Sequence, residues 1–327
     1  MTEQIRWGIL STGRIAHTFA TALKTLDDAE VVAVGSRTRE AAERFGETFG
    51  IPHRHASYEA LAADPEVDVI YVATPHPLHY DNARMCLEAG KAVLCEKPFT
   101  INAVEAADLI ALARRRGLFL MEAMWTRFLP AMAEVRRLVQ DGALGDVRAV
   151  AADMGFRADF DPGSRLFAPE LGGGALLDVG VYTISFASMV LGAPDRVAAV
   201  AHLGRTGVDE LSGLLLGYAG GALATLMCGV VLEMPGEATI MGTRGRIRIH
   251  ANWWRAERLS VWRDGRMELI ERPVEGNGYQ YQALEVMRCL REGRIESEIM
   301  PLQESLEVMQ VMDRAREQWG LRYPSEM

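Results

Sequence analysis

Ile5-Arg6-Trp7-Gly8-Ile9-Leu10-Ser11-Thr12-Gly13-Arg14-Ile15-Ala16 is the stretch that decides the architecture. Residues 5–10 read as a short buried strand. Ile15, Phe19 and Leu23 then fall on one face of a helix running to about Leu26. A strand that enters a helix through small residues opens a dinucleotide fold, because the turn lets backbone N–H groups and the helix N-terminus approach a pyrophosphate. The fingerprint is incomplete. Ser11 stands where the first glycine of G-x-G-x-x-G/A belongs, followed by Gly13 and Ala16, and an ordinary strand-to-helix turn would look the same.

The following segments supply context. Residues 30–35 (EVVAVG) form a second apolar run that ends in Ser36-Arg37-Thr38. An NAD-preferring site places an acid there, some 20 residues past the turn. A hydroxyl and a guanidinium at that place suit a 2′-phosphate, the alternative being a solvated loop arginine. Helices are predicted at 39–49 and 58–63, the second capped by Ser57. Residues 68–73 (DVIYVA) predict a third strand running into Thr74-Pro75-His76-Pro77-Leu78-His79, with Pro77 in the first turn of a helix reaching Ala89. Two histidines bring metal to mind, but no third ligand is near in sequence, so they are read as shaping a cofactor pocket and no metal is expected.

Ala92-Val93-Leu94-Cys95-Glu96-Lys97-Pro98 is a buried-strand pattern that closes on a charged pair. A lysine there lies at the carboxyl edge of the sheet, where open α/β sheets bind ligands. Glu96 is either a cofactor contact or a structural partner for its neighbour. A helix from Asn102, with Glu105 in capping-box position, and a strand at 118–121 complete a β-α repeat, hence a doubly wound parallel sheet.

After about residue 123 the pattern changes. A helix at 130–139 is followed by short alternating segments at 148–156, 196–202, 211–218, 222–231, 238–241, 246–250, 259–263 and 267–271. Gly220-Gly221, Thr243-Arg244-Gly245 and Asp264-Gly265 join several of them as hairpins, which predicts an antiparallel sheet. Helices follow at 279–292 and 302–318. Between these lies Gly172-Gly173-Gly174-Ala175-Leu176-Leu177-Asp178-Val179-Gly180-Val181-Tyr182, an apolar and therefore buried helical segment. Asp178 and Tyr182, four residues apart, share one face of it. They are either chemistry or a core tyrosine bonded to an acceptor.

Bulk properties narrow the classes. The 327 residues suggest two domains. A net charge of −9 with no basic tract argues against nucleic acid; Arg114-Arg115-Arg116 reads as a helix end. Cys86, Cys95, Cys228 and Cys289 are scattered in apolar contexts, which fits a reduced, cytoplasmic setting rather than zinc or disulfides. Residues 1–6 show no apolar signal core. The most apolar stretch, 174–192, is interrupted by Asp178, so no membrane span is expected.

Taken together, GILSTGRIA (8–16), VATPHPLH (72–79), CEKP (95–98) and GGGALLDVGVY (172–182) resemble the glucose–fructose oxidoreductase / inositol dehydrogenase / MocA family (Gfo/Idh/MocA). Met121-Glu122-Ala123-Met124-Trp125-Thr126-Arg127-Phe128 is similar to the branch holding dimeric dihydrodiol dehydrogenases and NADP-dependent D-xylose 1-dehydrogenases. The resemblance implies an NADP-binding Rossmann domain over 1–123, with NAD possible. Over 124–327 it implies an α+β domain with a large, mostly antiparallel sheet for substrate binding and homodimerisation. The cofactor would be held by Gly8, Ser11, Gly13, Arg14, Ile15, Ser36, Arg37, Thr74, Pro75, His76, His79, Glu96, Lys97 and Arg127. In such proteins the lysine of EKP reaches the substrate, and the Lys–Pro bond is commonly cis. Where the wider family ends DxGxH in a catalytic histidine, Tyr182 stands here, as in the dihydrodiol and xylose branch. The expected chemistry is hydride transfer at a secondary alcohol of a cyclic polyol or diol, with Tyr182 and Lys97 handling the proton and Asp178 orienting substrate or lysine. Trp125, Phe156, Trp254 and Tyr279 would wall the substrate, although each alone also suits a core. An NAD(P)-dependent glycosidase and a non-catalytic NADP sensor are the alternatives.

Overall fold

The computed structural model describes residues 4–327 and divides into two compact units. The first comprises residues up to Thr100, Val104–Trp125 and Glu275–Leu302; the second holds the rest. Residues 1–3 of the amino-terminal stretch read above lie outside the described residues.

In the first unit, β1 (Ile5–Leu10), α1 (Arg14–Leu23), β2 (Ala29–Gly35), α2 (Arg39–Phe49), β3 (His53–His55), α3 (Tyr58–Ala62), β4 (Val69–Val72), α4 (His79–Glu88), β5 (Ala92–Glu96), α5 (Ala103–Arg116) and β6 (Leu120–Ala123) alternate along the chain. Their strands form one six-stranded sheet, parallel throughout, in the order β3-β2-β1-β4-β5-β6. The order reverses beside β1, and β1, β4 and β5 are buried along almost their whole length, as a sheet covered on both faces requires.

Differences from the sequence expectation are local. β3 has only three residues, too few to show a period. Pro77 lies in a single 3₁₀ turn, His76–Leu78, and the α-helix starts after it. The first amide of α5, Ala103 N–H, donates to Asp313 at 2.8 Å, a partner 210 residues away that no local capping rule anticipates.

In the second unit, α6 (Pro130–Gln140) and β7 (Val147–Gly155) lead to a π-helical turn at Leu176–Gly180 and α7 (Val181–Leu191). β8 (Arg196–Leu203), β9 (Asp209–Gly217), β10 (Leu223–Gly229), β11 (Ala238–Gly242), β12 (Gly245–Ile249), β13 (Arg258–Arg263) and β14 (Arg266–Glu271) follow. They make an eight-stranded sheet, β14-β13-β12-β11-β7-β10-β9-β8, antiparallel except for β7 against β10. α8 (Gln280–Arg291) returns to the first unit, where Asn277 donates to the Thr18 carbonyl at 2.8 Å and Arg291 pairs with Asp28 at 2.7 Å. α9 (Leu302–Trp319) belongs almost wholly to the second.

One face of the large sheet packs on α7. The segment Pro169–Leu191 is long and apolar enough to cross a membrane by length and composition, but 83% of its apolar window is buried in the protein. Gly180 is needed there: a Cβ would come within 2.8 Å of Cys228 Sγ on β10. On the other face, registered pairs line up Ala198, Leu215, Thr225 and Ala151 across four strands, with Val200 and Met227 in the next row. Val200 is 78% exposed, and Leu215, Leu223 and Met227 are exposed as well, an apolar surface that strand alternation alone does not demand.

Candidate active site

The carboxyl ends of β1, β2, β4 and β5 carry the candidate cofactor residues of the first unit. Ser11 has φ +94°, a conformation that favours glycine, so it performs the backbone turn expected of the missing glycine. Gly13, at the N-cap of α1, supplies no side-chain cap, and no acid sits in the first turn, leaving the helix end positive beside Arg14. A Cβ on Gly13 would meet only Ser11 Oγ at 3.9 Å, so this corner is open. Gly8 is inside the sheet, where a Cβ would come within 3.0 Å of Val67, and Ile15 is half-buried. At the end of β2, Ser36 is buried and its N–H donates to the His55 carbonyl at 3.1 Å, while Arg37 is exposed.

After β4, the Thr74 carbonyl faces His79 Nε2 at 2.9 Å, and the Pro98 carbonyl faces Nδ1 at 2.8 Å. His79 sits between the two loops that follow β4 and β5; burial pushes its pKa down to about 4, so the ring is neutral and its single N–H donates to one of these carbonyls. Pro75 is exposed, and the His76 ring lies edge-on to His79 with centroids 5.7 Å apart. Beyond β5, Lys97 is half-buried and the Lys97–Pro98 bond is cis.

Glu96 is buried. It accepts from the Tyr71 hydroxyl and, through Oε2, from the Lys97 amide at 3.1 Å. Burial raises its pKa to about 7, against the opposing pull of the Tyr71 hydrogen bond and the Lys97 charge. Also in the first unit, Trp125 and Tyr279 stack with centroids 4.6 Å apart and planes 14° from parallel, joined by the return of the chain in α8.

The second unit holds the remaining candidates. The glycine run is tightly built: Gly174 has φ +119°, and a Cβ there would come within 2.3 Å of Asp209. Asp209 Oδ2 accepts the Leu176 N–H at 2.7 Å, and the Tyr323 hydroxyl donates to the Gly173 carbonyl at 2.7 Å. This anchors the turn that presents Asp178. Asp178 and Tyr182 are both buried, with the π-helical turn ending between them. Arg165 grips Asp178 at 2.7 and 3.3 Å, and its charge also acts on the Tyr182 phenol. Sequence reading missed Arg165: it lies 13 residues upstream in an irregular loop, and no spacing marks it.

Arg127, expected at the cofactor, is buried in the second unit. It pairs with Glu304 at 2.7 Å through both terminal nitrogens and bonds Ser185. Removing one partner of such a buried pair typically costs about 3–5 kcal/mol, which gives this arginine a structural task. Phe156 follows β7, its amide on the Gly229 carbonyl at 3.2 Å. Trp254 is half-buried against Gly236 in a loop held by Asp153, which accepts from Gly236 N–H and Trp253 Nε1, both at 2.7 Å.

Comparison with known proteins sets this arrangement in context. The pattern described as "Oxidoreductase family, NAD-binding Rossmann fold" matches residues 5–124, and that of the "GFO/IDH/MocA C-terminal domain" matches 132–248. Trans-1,2-dihydrobenzene-1,2-diol dehydrogenase of Mus musculus is 41% identical over 334 residues, 98% of this chain and 99% of that protein. The Homo sapiens enzyme of the same name is 38% identical, with the same coverage. Among solved structures, aldose-aldose oxidoreductase from Caulobacter crescentus, complexed with glycerol, superposes with a TM-score of 0.89 at 27% identity, covering 98% and 99% of the two chains. A 3-ketoreductase from Actinomadura kijaniata, complexed with NADP and TDP-benzene, gives 0.86 at 29% identity over 96% and 98%.

The buried Glu96 carboxyl yields a pH prediction. Its pKa is raised by folding from 4.5 to about 7, so the folded state binds more protons than the unfolded one in that window, and stability falls as pH rises through it. Denaturant titrations from about pH 5 to about pH 8 are expected to show wild type losing up to about 3 kcal/mol relative to Glu96→Gln. Parallel curves for the two proteins would show that Glu96 stays charged throughout.

Proposed function

The chain belongs to the Gfo/Idh/MocA oxidoreductases and is an NAD(P)-dependent dehydrogenase acting on CH–OH groups; from that premise we propose an NADP-dependent enzyme that oxidises a secondary alcohol of a cyclic diol or polyol, such as a trans-dihydrodiol or D-xylose. The observation that carries this reading is the buried Asp178–Tyr182 segment with Arg165 set against it, in a chain that also presents Lys97 at the carboxyl end of β5. The residues suit the dinucleotide: the uncapped N-terminus of α1 and the open corner at Gly13 would hold the pyrophosphate, and Arg37 with Ser36 would hold a 2′-phosphate. Bound NADP supplies the hydride acceptor and donor.

The protein must then orient the alcohol and move one proton. Tyr182 takes the hydroxyl proton during oxidation and returns it during reduction. A free phenol has a pKa of about 10, too high for an efficient base near neutrality, so a cation is needed to favour the phenolate. Arg165, held by Asp178, is one such cation, and Lys97 is the second, donating to the reacting oxygen. Asp178 in this reading positions Arg165 rather than touching substrate. Trp125 with Tyr279, and Phe156 and Trp254, offer aromatic faces to a ring with one apolar side.

The registered apolar face around Val200, Leu215 and Met227 supports a homodimer formed through the large sheet. The relatives with diol and sugar-type names favour a dehydrogenase over the glycosidase and sensor readings.

Tyr182→Phe and Lys97→Met are each expected to lower turnover by about 10²–10⁴-fold while retaining NADPH binding, measured by NADP⁺ reduction with a trans-dihydrodiol, D-xylose and D-glucose. Near-normal turnover in either would remove that residue from the mechanism. Arg37→Ala is expected to weaken NADPH binding by about 10- to 100-fold and NADH binding little, read by nucleotide fluorescence titration. Light scattering should find wild type dimeric and a Val200→Glu/Leu215→Glu variant monomeric; a monomeric wild type would end the dimer proposal.

A further inference from the structure

Outside these candidate residues, the edge strand of the parallel sheet gathers a second chemical cluster. Alternation along β3 sends His53 and His55 to one side and Arg54 to the other, where Arg54 bonds the Ile51 carbonyl at 3.0 Å and Glu43 at 2.7 Å. Asp64, just past α3, meets the two histidines. Its Oδ2 lies 2.7 Å from His53 Nδ1 and 2.8 Å from His55 Nε2, while Oδ1 accepts the Glu66 amide at 2.9 Å. The three ligand atoms lie within 4.8 Å of one another.

We propose that His53, His55 and Asp64 bind one divalent transition-metal ion of the zinc class. Two imidazole nitrogens and one carboxylate oxygen are donors that Zn²⁺ accepts, usually completed by water. Water has access, since the His53 side chain is 40% exposed and that of His55 25%. Asp64 itself is buried, with Oδ2 facing both imidazoles and Oδ1 held by the Glu66 amide. One oxygen is already held by the backbone, which orients the other toward the imidazoles in the manner of an outer-shell hydrogen bond on a metal ligand. The Lys91 ammonium donates to the Asp64 and Val67 carbonyls at 2.6 and 2.8 Å and so fixes the turn that carries the carboxylate.

The ion would brace the edge of the sheet. It links β3 to the end of α3, and the His55 carbonyl accepts the Ser36 amide at the end of β2. The expectation of no metal rested on His76, His79 and the four scattered cysteines; these ligands come from a strand too short to announce itself.

The test uses the full chain freed of metal with a chelator. Zn²⁺ is titrated by calorimetry, and Co²⁺ is followed by its visible absorption. Wild type is expected to bind one more equivalent than His53→Gln/His55→Gln, with melting raised by Zn²⁺ and not by Mg²⁺, and the double variant should lose both the equivalent and the shift. Each single His→Gln variant should bind Zn²⁺ at least about tenfold more weakly, consistent with the loss of one of three ligands. Equal stoichiometry in wild type and the double variant, with both properly folded by circular dichroism, overturns the proposal.

Discussion

Taking a carboxylate or guanidinium out of water costs several kcal/mol unless fixed partners replace the lost hydration. This chain meets that cost repeatedly, and the positions where it does so organise both units. Glu96 closes β5 against Tyr71 and the Lys97 amide. Asp209 receives the first amide of the turn leading to Asp178, with burial raising its pKa to about 7. Arg316 is held between Asp313 and Glu326 and also donates to the Ile101 carbonyl. Each buried polar group therefore fixes a backbone segment: Glu96 the one that carries Lys97, Asp209 the turn that leads to Asp178, and Arg316 the one at Ile101.

The arrangement separates positioning from chemistry. Ser11, His79 and the glycine run 172–174 shape the backbone. The groups proposed to act on substrate stand on that scaffold, with the Arg165 guanidinium set toward Asp178 and Tyr182. The same guanidinium, by engaging Asp178, gives a buried acid its counter-charge. One loop residue thus faces both the acid and the phenol of this segment.

Much of this was legible from residues. The apolar runs at β1, β2, β4 and β5 carried the parallel sheet, and the hairpin glycines carried the antiparallel one, because both signals are local. The turn at Ser11 was readable despite its missing glycine, since Gly13 and the helix period remained. What escaped had distant causes. The motif places Arg127 at the cofactor, but its pairing with Glu304, 177 residues further on, has no local signal. Arg165 lies in a loop without periodicity. The stacking of Tyr279 on Trp125 depends on the chain returning to the first unit, which no linear pattern encodes.

That return has a consequence for how the protein is made. The first unit is not complete when Trp125 leaves the ribosome: it lacks α8 and the segment in which the Ile295 carbonyl accepts the Leu120 amide beside β6. Since the chain emerges at roughly 5–20 residues per second, the parallel sheet waits on the order of ten seconds or more with one flank uncovered while the whole large sheet is synthesised. The first unit can therefore be completed only after most of the second has been made.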